Sequence, residues 1–233
     1  MAKIFKKERE IVTPGEILAE GMDIVAGDGT YRKETKIIAK ILGLVKIERR
    51  VIKIVPLSGI YMPKVDDTII GKIIDITISG WRVDFGSPYS AILSIKESGE
   101  TRINRNNLTK VFNIGDYIIT KIISVTSQNL VDLTMKGVGL RKLNRGYIIK
   151  VNPHKIPRII GKGGSMINLL KQETNCKIIA GQNGWIWIDG NPKDEVILIK
   201  AIEKIDKESH LDGLTERIRD FIRELKRSIK RSR

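Results

Sequence analysis

The stretch that decides the fold of this chain is Arg158-Ile-Ile-Gly161-Lys-Gly-Gly164-Ser-Met-Ile167. Apolar residues on either side of the glycines predict two short helices, and the glycines predict a tight corner between them. Such a corner presents backbone amides without covering side chains, so the phosphates of a single nucleic-acid strand can approach closely. The second helix adds the partial positive charge of its N-terminus, and Lys162 adds a full charge. These residues therefore predict a phosphate-binding corner.

Two other interpretations of the glycine corner are open. A phosphate loop of the G-x-x-x-x-G-K-[ST] type needs glycine at position 156 and Ser or Thr at position 163, where this chain has Ile156 and Gly163. A plain turn between packed helices needs no charge around it, whereas Lys155 and Arg158 accompany Lys162 here. The nucleic-acid interpretation is favoured, and the plain turn stays as its alternative.

The pattern around the corner predicts one small α/β module in the order β-α-α-β-β-α. We expect Ser165 to cap the second helix with its side chain. The bases of a bound strand would lie against an aliphatic wall of Ile159, Ile160, Ile167 and Ile178. The predicted elements are strand 147–151, helical turn 157–160, helix 165–173, strands 176–180 and 185–188, and helix 194–205.

Two β-rich segments precede this module. Residues 1 to 62 contain short alternating runs interrupted by glycines, which predict short strands and tight turns. Residues 63 to 139 contain five candidate strands, a pattern typical of a small barrel. Between the third and fourth of these strands runs a polar segment that carries Arg102 and Arg105. The predicted fold class is therefore multidomain and mainly β, with one α/β module.

Residues 209–233 predict a basic amphipathic helix. Leu214, Ile218 and Ile222 recur at helical spacing, while Arg and Lys occupy the other faces. We expect the apolar stripe to pack on the α/β module or on a neighbouring subunit, and the basic faces to extend a nucleic-acid path. A helix lying on a membrane surface would share this pattern, but the segment contains no Trp and no second anchoring signal.

The composition favours a polyanionic partner. Lys and Arg number 42 against 27 Asp and Glu, which leaves a formal net charge of +15, as is typical of nucleic-acid-binding proteins. No apolar run approaches the roughly 18 residues of a membrane span, and the start has no secretory signal pattern. The single cysteine, Cys176, fits a reducing compartment. We therefore expect a cytoplasmic protein with no membrane partner.

The residues give little support to an enzyme. The chain has two histidines, His154 and His210, so histidines supply neither a metal cluster nor an acid–base pair. Nothing in the sequence suggests a base beside Cys176. We therefore expect no catalytic residues, no metal and no cofactors. A free-standing nuclease is the alternative from a different functional class.

Several parts of the sequence resemble known families. Gly161–Gly164 resembles the KH-domain signature, and residues 67–86 and 114–136 resemble an S1 RNA-binding domain of the OB-fold type. Together with residues 13–16, 27–31 and 61–63 and with Gly181-Gln-Asn-Gly184-Trp185, they resemble the archaeal exosome RNA-binding cap subunit. This resemblance implies an N-terminal β domain over 1–62, an S1 barrel over 63–139, a type I KH domain over 140–208 and a basic C-terminal helix over 209–233.

The resemblance also implies a non-catalytic role. Three cap subunits of this family sit on a hexameric ring of RNase PH-like chains, which degrades RNA by phosphorolysis. The implied partners are single-stranded RNA, the RNase PH-like ring subunits and other cap subunits, either copies of this chain or of a second kind. An S1/KH transcription or translation factor is the runner-up, and Gly27-Asp-Gly-Thr-Tyr31 argues against it.

The resemblance and the charge pattern select the candidate site residues. A turn of Gly181, Asn183 and Gly184, with Trp185, is expected to hold the KH domain against the S1 domain. Typical S1 domains expose Phe-Gly-x-Phe for stacking, whereas residues 79–82 read Ser-Gly-Trp-Arg here. We therefore expect the barrel to contact phosphates, with two insertion arginines lining a pore. The expected RNA contacts are Gly161, Lys162, Gly163, Gly164, Arg158, Lys155, Ile160, Ile167, Arg82, Arg102, Arg105 and Lys121.

Overall fold

The computed structural model describes residues 3–99, 108–208 and 213–231, with residues 229–231 described for their backbone alone. Arg102 and Arg105, two of the expected RNA contacts, lie outside the described residues, as does His210. The chain divides into two compact units, one ending at Gly59 and the other beginning at Ile60.

The first unit is built from short strands punctuated by turns. Within residues 3–59 these strands form two four-stranded sheets. Side chains from both sheets form one hydrophobic core, in which Leu18, Ile37, Val45 and Ile52 are buried. The strands are β1 (Lys3–Ile4), β2 (Ile11–Val12), β3 (Ile17–Glu20), β4 (Val25–Ala26), β5 (Thr30–Lys33), β6 (Lys36–Ala39), β7 (Gly43–Glu48) and β8 (Val51–Pro56). Their orders are β1-β3-β6-β5 and β2-β7-β8-β4.

The second unit begins with a closed barrel, as the sequence predicts. Its elements are β9 (Thr68–Thr77), β10 (Gly80–Asp84), β11 (Ala91–Ser94), α1 (Leu108–Val111), β12 (Tyr117–Val125), β13 (Val131–Thr134) and β14 (Arg141–Leu143). The barrel closes in the order β9-β10-β11-β13-β12 and back to β9. Only the β11–β13 pair is parallel among the described barrel strands. This connectivity is that of an OB-type barrel.

Strand β14 is an addition that the sequence does not predict. It pairs with β12 outside the closed barrel, with Tyr117 opposite Leu143. Its three residues, Arg-Lys-Leu, are too few to show an alternating pattern. The chain leaves the barrel through this strand and enters the next module directly.

The α/β module follows the predicted order. Its elements are β15 (Tyr147–Lys150), α2 (Ile156–Ile160), α3 (Ser165–Thr174), β16 (Lys177–Ala180), β17 (Trp185–Asp189), α4 (Pro192–Glu208) and α5 (Leu214–Arg231). The three strands form an antiparallel sheet in the order β15-β17-β16. Helices pack on one face of this sheet, where Ile156, Leu170, Ile186, Leu198 and Ile202 are all fully buried.

The start of α3 differs from the prediction. Gly164 is the N-cap residue, in the left-handed region at φ 80°, and no side chain caps the helix. Ser165 stands one position later, as the first helical residue. Glycine is favoured there because the corner requires positive φ at consecutive positions, which a serine would adopt only with strain.

Helix α5 packs on the α/β module, one of the two positions expected for it. Leu214, Ile218 and Ile222 are buried in the same core as α3 and α4. Arg217 forms an ion pair with Glu208 at 2.9 Å, and the Lys226 ammonium donates to the Glu173 carbonyl at the end of α3. A cation at the C-terminal end of a helix is favoured by the helix dipole.

Candidate nucleic-acid interface

The glycine corner lies between α2 and α3. Gly161 has φ 76° and ψ 168°, and a Cβ added there would lie 2.7 Å from the backbone nitrogen of Met166. No real side chain tolerates that approach, so the position requires glycine for space as well as for its dihedral angles. The two helices are thereby brought together with bare backbone at the corner.

The outer side of the corner is open. Gly163 has φ 60°, and a Cβ added there would meet no atom within 4 Å. Lys162 and Gly163 are both exposed, and within the described residues Lys162 has no ion-pair partner. A phosphate could therefore reach the backbone of the corner without displacing any side chain.

The expected aliphatic wall is only partly available. Ile159 and Ile178 are 0% and 2% exposed and belong to the core, so the prediction that they contact bases is wrong. Ile160 and Ile167 are partly buried and pack against that core from its edge. Helix geometry separates Ile159 from Ile160, since neighbouring helical residues point in different directions, whereas Ile178 lies on β16 and belongs to the core that the helices cover.

The basic residues near the corner differ in what they already contact. Lys155 donates to the Asp206 carbonyl and lies 3.5 Å from the Asp206 carboxylate, so it ties the start of α2 to the end of α4. Arg158 is exposed on α2, one helical turn before the corner. Lys162 and Arg158 are exposed whereas Lys155 is partly buried, and this exposure makes the first two better placed to meet a ligand there.

The barrel contributes two described candidates. Arg82 is exposed on β10, where the register places it between Asp75 of β9 and Ile92 of β11. Lys121 forms an ion pair with Asp66 at 2.8 Å. Trp81, which stands in the stretch where S1 domains expose an aromatic residue, is fully buried instead and donates from Nε1 to the Phe112 carbonyl at 3.1 Å. Trp81 therefore cannot stack on a base.

The turn between β16 and β17 is bound to the barrel through Asn183. This side chain is 3% exposed. The Ile70 amide donates to Asn183 Oδ1 at 3.2 Å, and Asn183 Nδ2 donates to the carbonyls of Ile70 and Phe85 at 2.8 Å each. The Gln182 amide adds a bond to the Thr68 carbonyl at 2.9 Å. The turn therefore joins the α/β module to strand β9.

The glycines of this turn are required by the same contacts. A Cβ on Gly181 would lie 2.4 Å from Asn183 Oδ1, and one on Gly184 would lie 2.4 Å from the Val151 carbonyl oxygen. Trp185 is 4% exposed and packs with Ile70 and Ile119 of the barrel. The backbone partners of Asn183 carry no sequence signal, because every residue has the same amide and carbonyl groups.

Burial is the main cause of the pKa shifts of His154 and Cys176. Burial, and secondarily the charge of Lys64, lowers the pKa of His154. Burial raises the pKa of the Cys176 thiol, which donates to the Thr174 carbonyl. A raised pKa keeps a thiol protonated and unreactive.

Across residues 3–99, 108–208 and 213–231, no group of three or more His, Cys, Asp or Glu side chains is placed to hold a metal ion. In the same part of the chain, no helix is long and apolar enough to cross a membrane.

One family model, for the KH domain, matches residues 146–194, and another, for the N-terminal domain of the exosome RNA binding protein RRP4, matches residues 9–58. With the OB-type barrel and the open glycine corner, these matches define an RNA-binding protein of the S1–KH class. The exosome complex component Rrp4 of Thermococcus kodakarensis is 44% identical over 99% of this chain and 91% of its own length. The chain belongs to the Rrp4 family.

Other relatives are similar to the chain over comparable lengths. The Rrp4 component of Methanothermus fervidus is 46% identical over 94% of this chain and 97% of its own length. A crystal structure of a protein assigned as an exosome complex RNA-binding protein superposes with a TM-score of 0.67 at 37% identity. That match covers 72% of this chain and 98% of the solved one.

Proposed function

We propose that this chain is a non-catalytic RNA-binding cap subunit of an archaeal exosome in the cytoplasm. It captures single-stranded RNA and delivers the 3′ end to a hexameric ring of RNase PH-like subunits, which cleaves by phosphorolysis. Membership of the Rrp4 family supports the exosome assignment. The observation that carries the RNA-capturing role is the open corner at Gly161–Gly164 with exposed Lys162.

The proposed clamp works through the backbone and through charge. The corner accepts phosphates at the N-terminal end of α3, and Lys162 and Arg158 supply positive charge. Ile160 and Ile167 give the bases an aliphatic edge. Arg82 and Lys121 on the barrel, with Arg102 and Arg105 of the insertion, guide the backbone without reading sequence. Neither the binding of phosphates at the corner nor the guidance of the RNA backbone along the barrel breaks a covalent bond.

The proposed assembly assigns different partners to different parts of the chain. Residues 1–62 dock on the ring, 63–139 form the S1 domain, 140–208 the KH domain and 209–233 the basic helix. Three cap subunits surround the entry to the pore. Exposed apolar side chains on the first unit support a docking role there, since Ile11, Met22 and Val25 are 60%, 73% and 54% exposed.

An affinity measurement tests the clamp. The variant Lys162→Asp/Gly163→Asp should weaken binding to a labelled single-stranded 12-mer by about tenfold or more, because phosphate contacts are replaced by repulsion. Gly163 leaves space for a side chain, and Asp tolerates its left-handed φ of 60° better than most residues, so the fold should persist at some cost in stability. The control Lys200→Asp/Thr215→Asp changes the net charge equally, by −3, at exposed positions of α4 and α5. Fluorescence anisotropy over a salt series provides the readout.

Two outcomes would contradict the proposal. Equal affinities of the corner variant and its control across the salt series would show that the corner is not the clamp. Shortening of labelled RNA by the purified chain alone, with phosphate and magnesium present, would show that the chain is a nuclease.

A further inference from the structure

A cavity of about 410 Å³ lies where β14 runs into β15, between the barrel and the α/β module. We call it the junction pocket, and its lining includes Asp116, Tyr117, Leu143, Arg145, Tyr147 and Trp187. Its volume falls in the range of small-ligand sites. None of these residues is among the RNA contacts expected from the sequence.

The junction pocket is separate from the glycine corner. The sheet order β15-β17-β16 places β15 at one edge and β16 at the other. The corner joins α2 to α3, and α3 leads into β16. The pocket instead opens beside β14 and β15. A ligand held there would therefore contact a different part of the chain from one held at the corner.

Aromatic side chains line the junction pocket in fixed orientations. Trp187 donates from Nε1 to the Arg145 carbonyl at 2.6 Å, which holds the indole in place. Tyr117 packs edge-on against Trp185, with ring centroids 6.1 Å apart. Tyr147 is 64% exposed. Trp187 is 5% exposed and Tyr117 is partly buried, so Tyr147 is the ring of this lining on which a nucleobase can stack.

Cations surround these rings. The Lys72 ammonium lies 5.9 Å from the centre of the Tyr117 ring, and the Arg141 guanidinium lies 6.0 Å from that of Trp187. Arg145 is exposed at the rim. Asp116, the acidic residue of the lining, is paired with Lys142 and also accepts from the Asn113 amide. The rim therefore carries a positive excess.

We infer that the junction pocket binds one nucleotide unit, with its base against the Tyr147 ring and its phosphate at Arg145. A neutral aliphatic ligand would offer no anion to Arg145, whereas a nucleotide meets both the exposed ring and the charge. The unit comes either from a strand of RNA or from a free mononucleotide. Its RNA source rests on the proposed function, but the pocket itself does not depend on the glycine corner.

Two exposed residues allow a test that spares the fold. In Arg145→Ala/Tyr147→Ala the Arg145 carbonyl remains as the acceptor for Trp187. We expect this variant to bind a single-stranded 12-mer of adenylate about fivefold or more weakly, as removal of a stacked base predicts. Tyr147→Phe keeps the ring and should bind normally. Arg219→Ala, which removes a charge from the exposed face of α5, is the matched control.

A second readout reports on the pocket directly. Quenching of tryptophan fluorescence by the 12-mer and by adenosine monophosphate should occur in the wild type and be lost in the double variant. Quenching by the 12-mer alone assigns the site to RNA, quenching by adenosine monophosphate alone assigns it to a free mononucleotide, and quenching by both supports the site for either source. Quenching by neither, or wild-type affinity and quenching in the double variant, overturns the inference.

The glycine-corner variant separates this inference from the proposed function. If Lys162→Asp/Gly163→Asp weakens 12-mer binding while Arg145→Ala/Tyr147→Ala leaves it unchanged, the clamp stands and the pocket is overturned. If only Arg145→Ala/Tyr147→Ala weakens binding, the pocket stands and the clamp fails.

Discussion

At the scale of single residues, Asn183 connects two modules that are distant in sequence. The Asn183 side chain takes the place of a neighbouring strand for Ile70, which lies 113 positions away. It accepts a hydrogen bond from the Ile70 backbone amide and donates one to the Ile70 carbonyl. The third bond, to the Phe85 carbonyl, reaches a neighbouring part of the barrel. Buried backbone groups need such partners, so the side chain stabilises the barrel and the junction together.

Substitution of Asn183 should therefore destabilise the second unit. Asn183→Ala leaves buried backbone groups without partners, and we expect a loss of about 3 kcal/mol, since each such group costs roughly 1–3 kcal/mol. Asn183→Asp places a carboxylate against two carbonyls and should be worse at neutral pH. Urea denaturation followed by tryptophan fluorescence measures both losses. Asn168→Ala, at an exposed position of α3, is the control and should change stability by less than about 0.5 kcal/mol.

His154 gives a prediction about pH. Its pKa is lowered by burial and then by Lys64, so the native state binds fewer protons than the unfolded chain below pH 6.5. The associated stability should be fully present above pH 6.5 and be lost as the pH falls from 6.5 through the lowered pKa. NMR should show one histidine that titrates below 6.5, identified by its absence in His154→Gln. Lys64→Gln should raise that midpoint, and a wild-type midpoint at or above 6.5 would contradict the assignment.

At the scale of elements, the glycine corner and α5 have opposite requirements. The corner depends on the absence of side chains, since Gly161 has no space for one and Gly163 faces open solvent. Helix α5 depends on its side chains, because its apolar stripe completes the core under α3 and α4. Its remaining faces keep Arg219, Arg223 and Arg227 exposed. One helix thus both closes the α/β module and adds to its positive surface.

The packing of α5 can be tested by truncating one buried side chain. Ile218 is 0% exposed, so Ile218→Ala should cost about 2–4 kcal/mol from lost burial and the cavity left behind. Arg219→Ala changes the adjacent exposed residue and serves as the comparison. Thermal and urea unfolding measure the difference. Equal stability of the two variants would mean that α5 does not pack on the core in solution.

At the scale of the whole molecule, the division into two units matches the two tasks proposed for the chain. The first unit is a β structure with exposed apolar side chains, and it corresponds to the RRP4 N-terminal model over residues 9–58. The second contains the barrel and the KH module, joined by Asn183 and by the cluster around Trp185. Separate units allow docking and RNA capture to be lost independently.

A deletion tests that independence. The chain without residues 1–59 should fail to co-elute with an RNase PH-like hexameric ring in size-exclusion chromatography, while anisotropy still reports RNA binding. The full chain with Lys162→Asp/Gly163→Asp should still co-elute with the ring but bind RNA weakly, because its first unit is unchanged. Circular dichroism of the truncated chain verifies that the remaining unit is folded. Co-elution of the truncated chain with the ring would place the docking surface in the second unit.

Local patterns in the sequence predict much of the fold. Alternation identifies the barrel strands, and helical spacing identifies the stripe of Leu214, Ile218 and Ile222, because both are periodicities within one element. The glycines of the corner predict its bare backbone, since positive φ is a local property. The same locality explains the errors. Serine is a common N-cap, so local preference predicts a cap at Ser165, whereas Gly164 takes that position because the left-handed corner extends through it.

By itself, the sequence determined the module order, the net charge of +15 and the glycine corner, because composition and short-range spacing are written in consecutive residues. Tertiary structure alone decided which isoleucines face the core, that Trp81 is buried, and which backbone groups Asn183 bonds. It also decided that Tyr117, Arg145 and Trp187, from three separate strands and connections, line one pocket. Those facts depend on pairing between distant segments, and long-range pairing is set by packing and strand register, which no local pattern records.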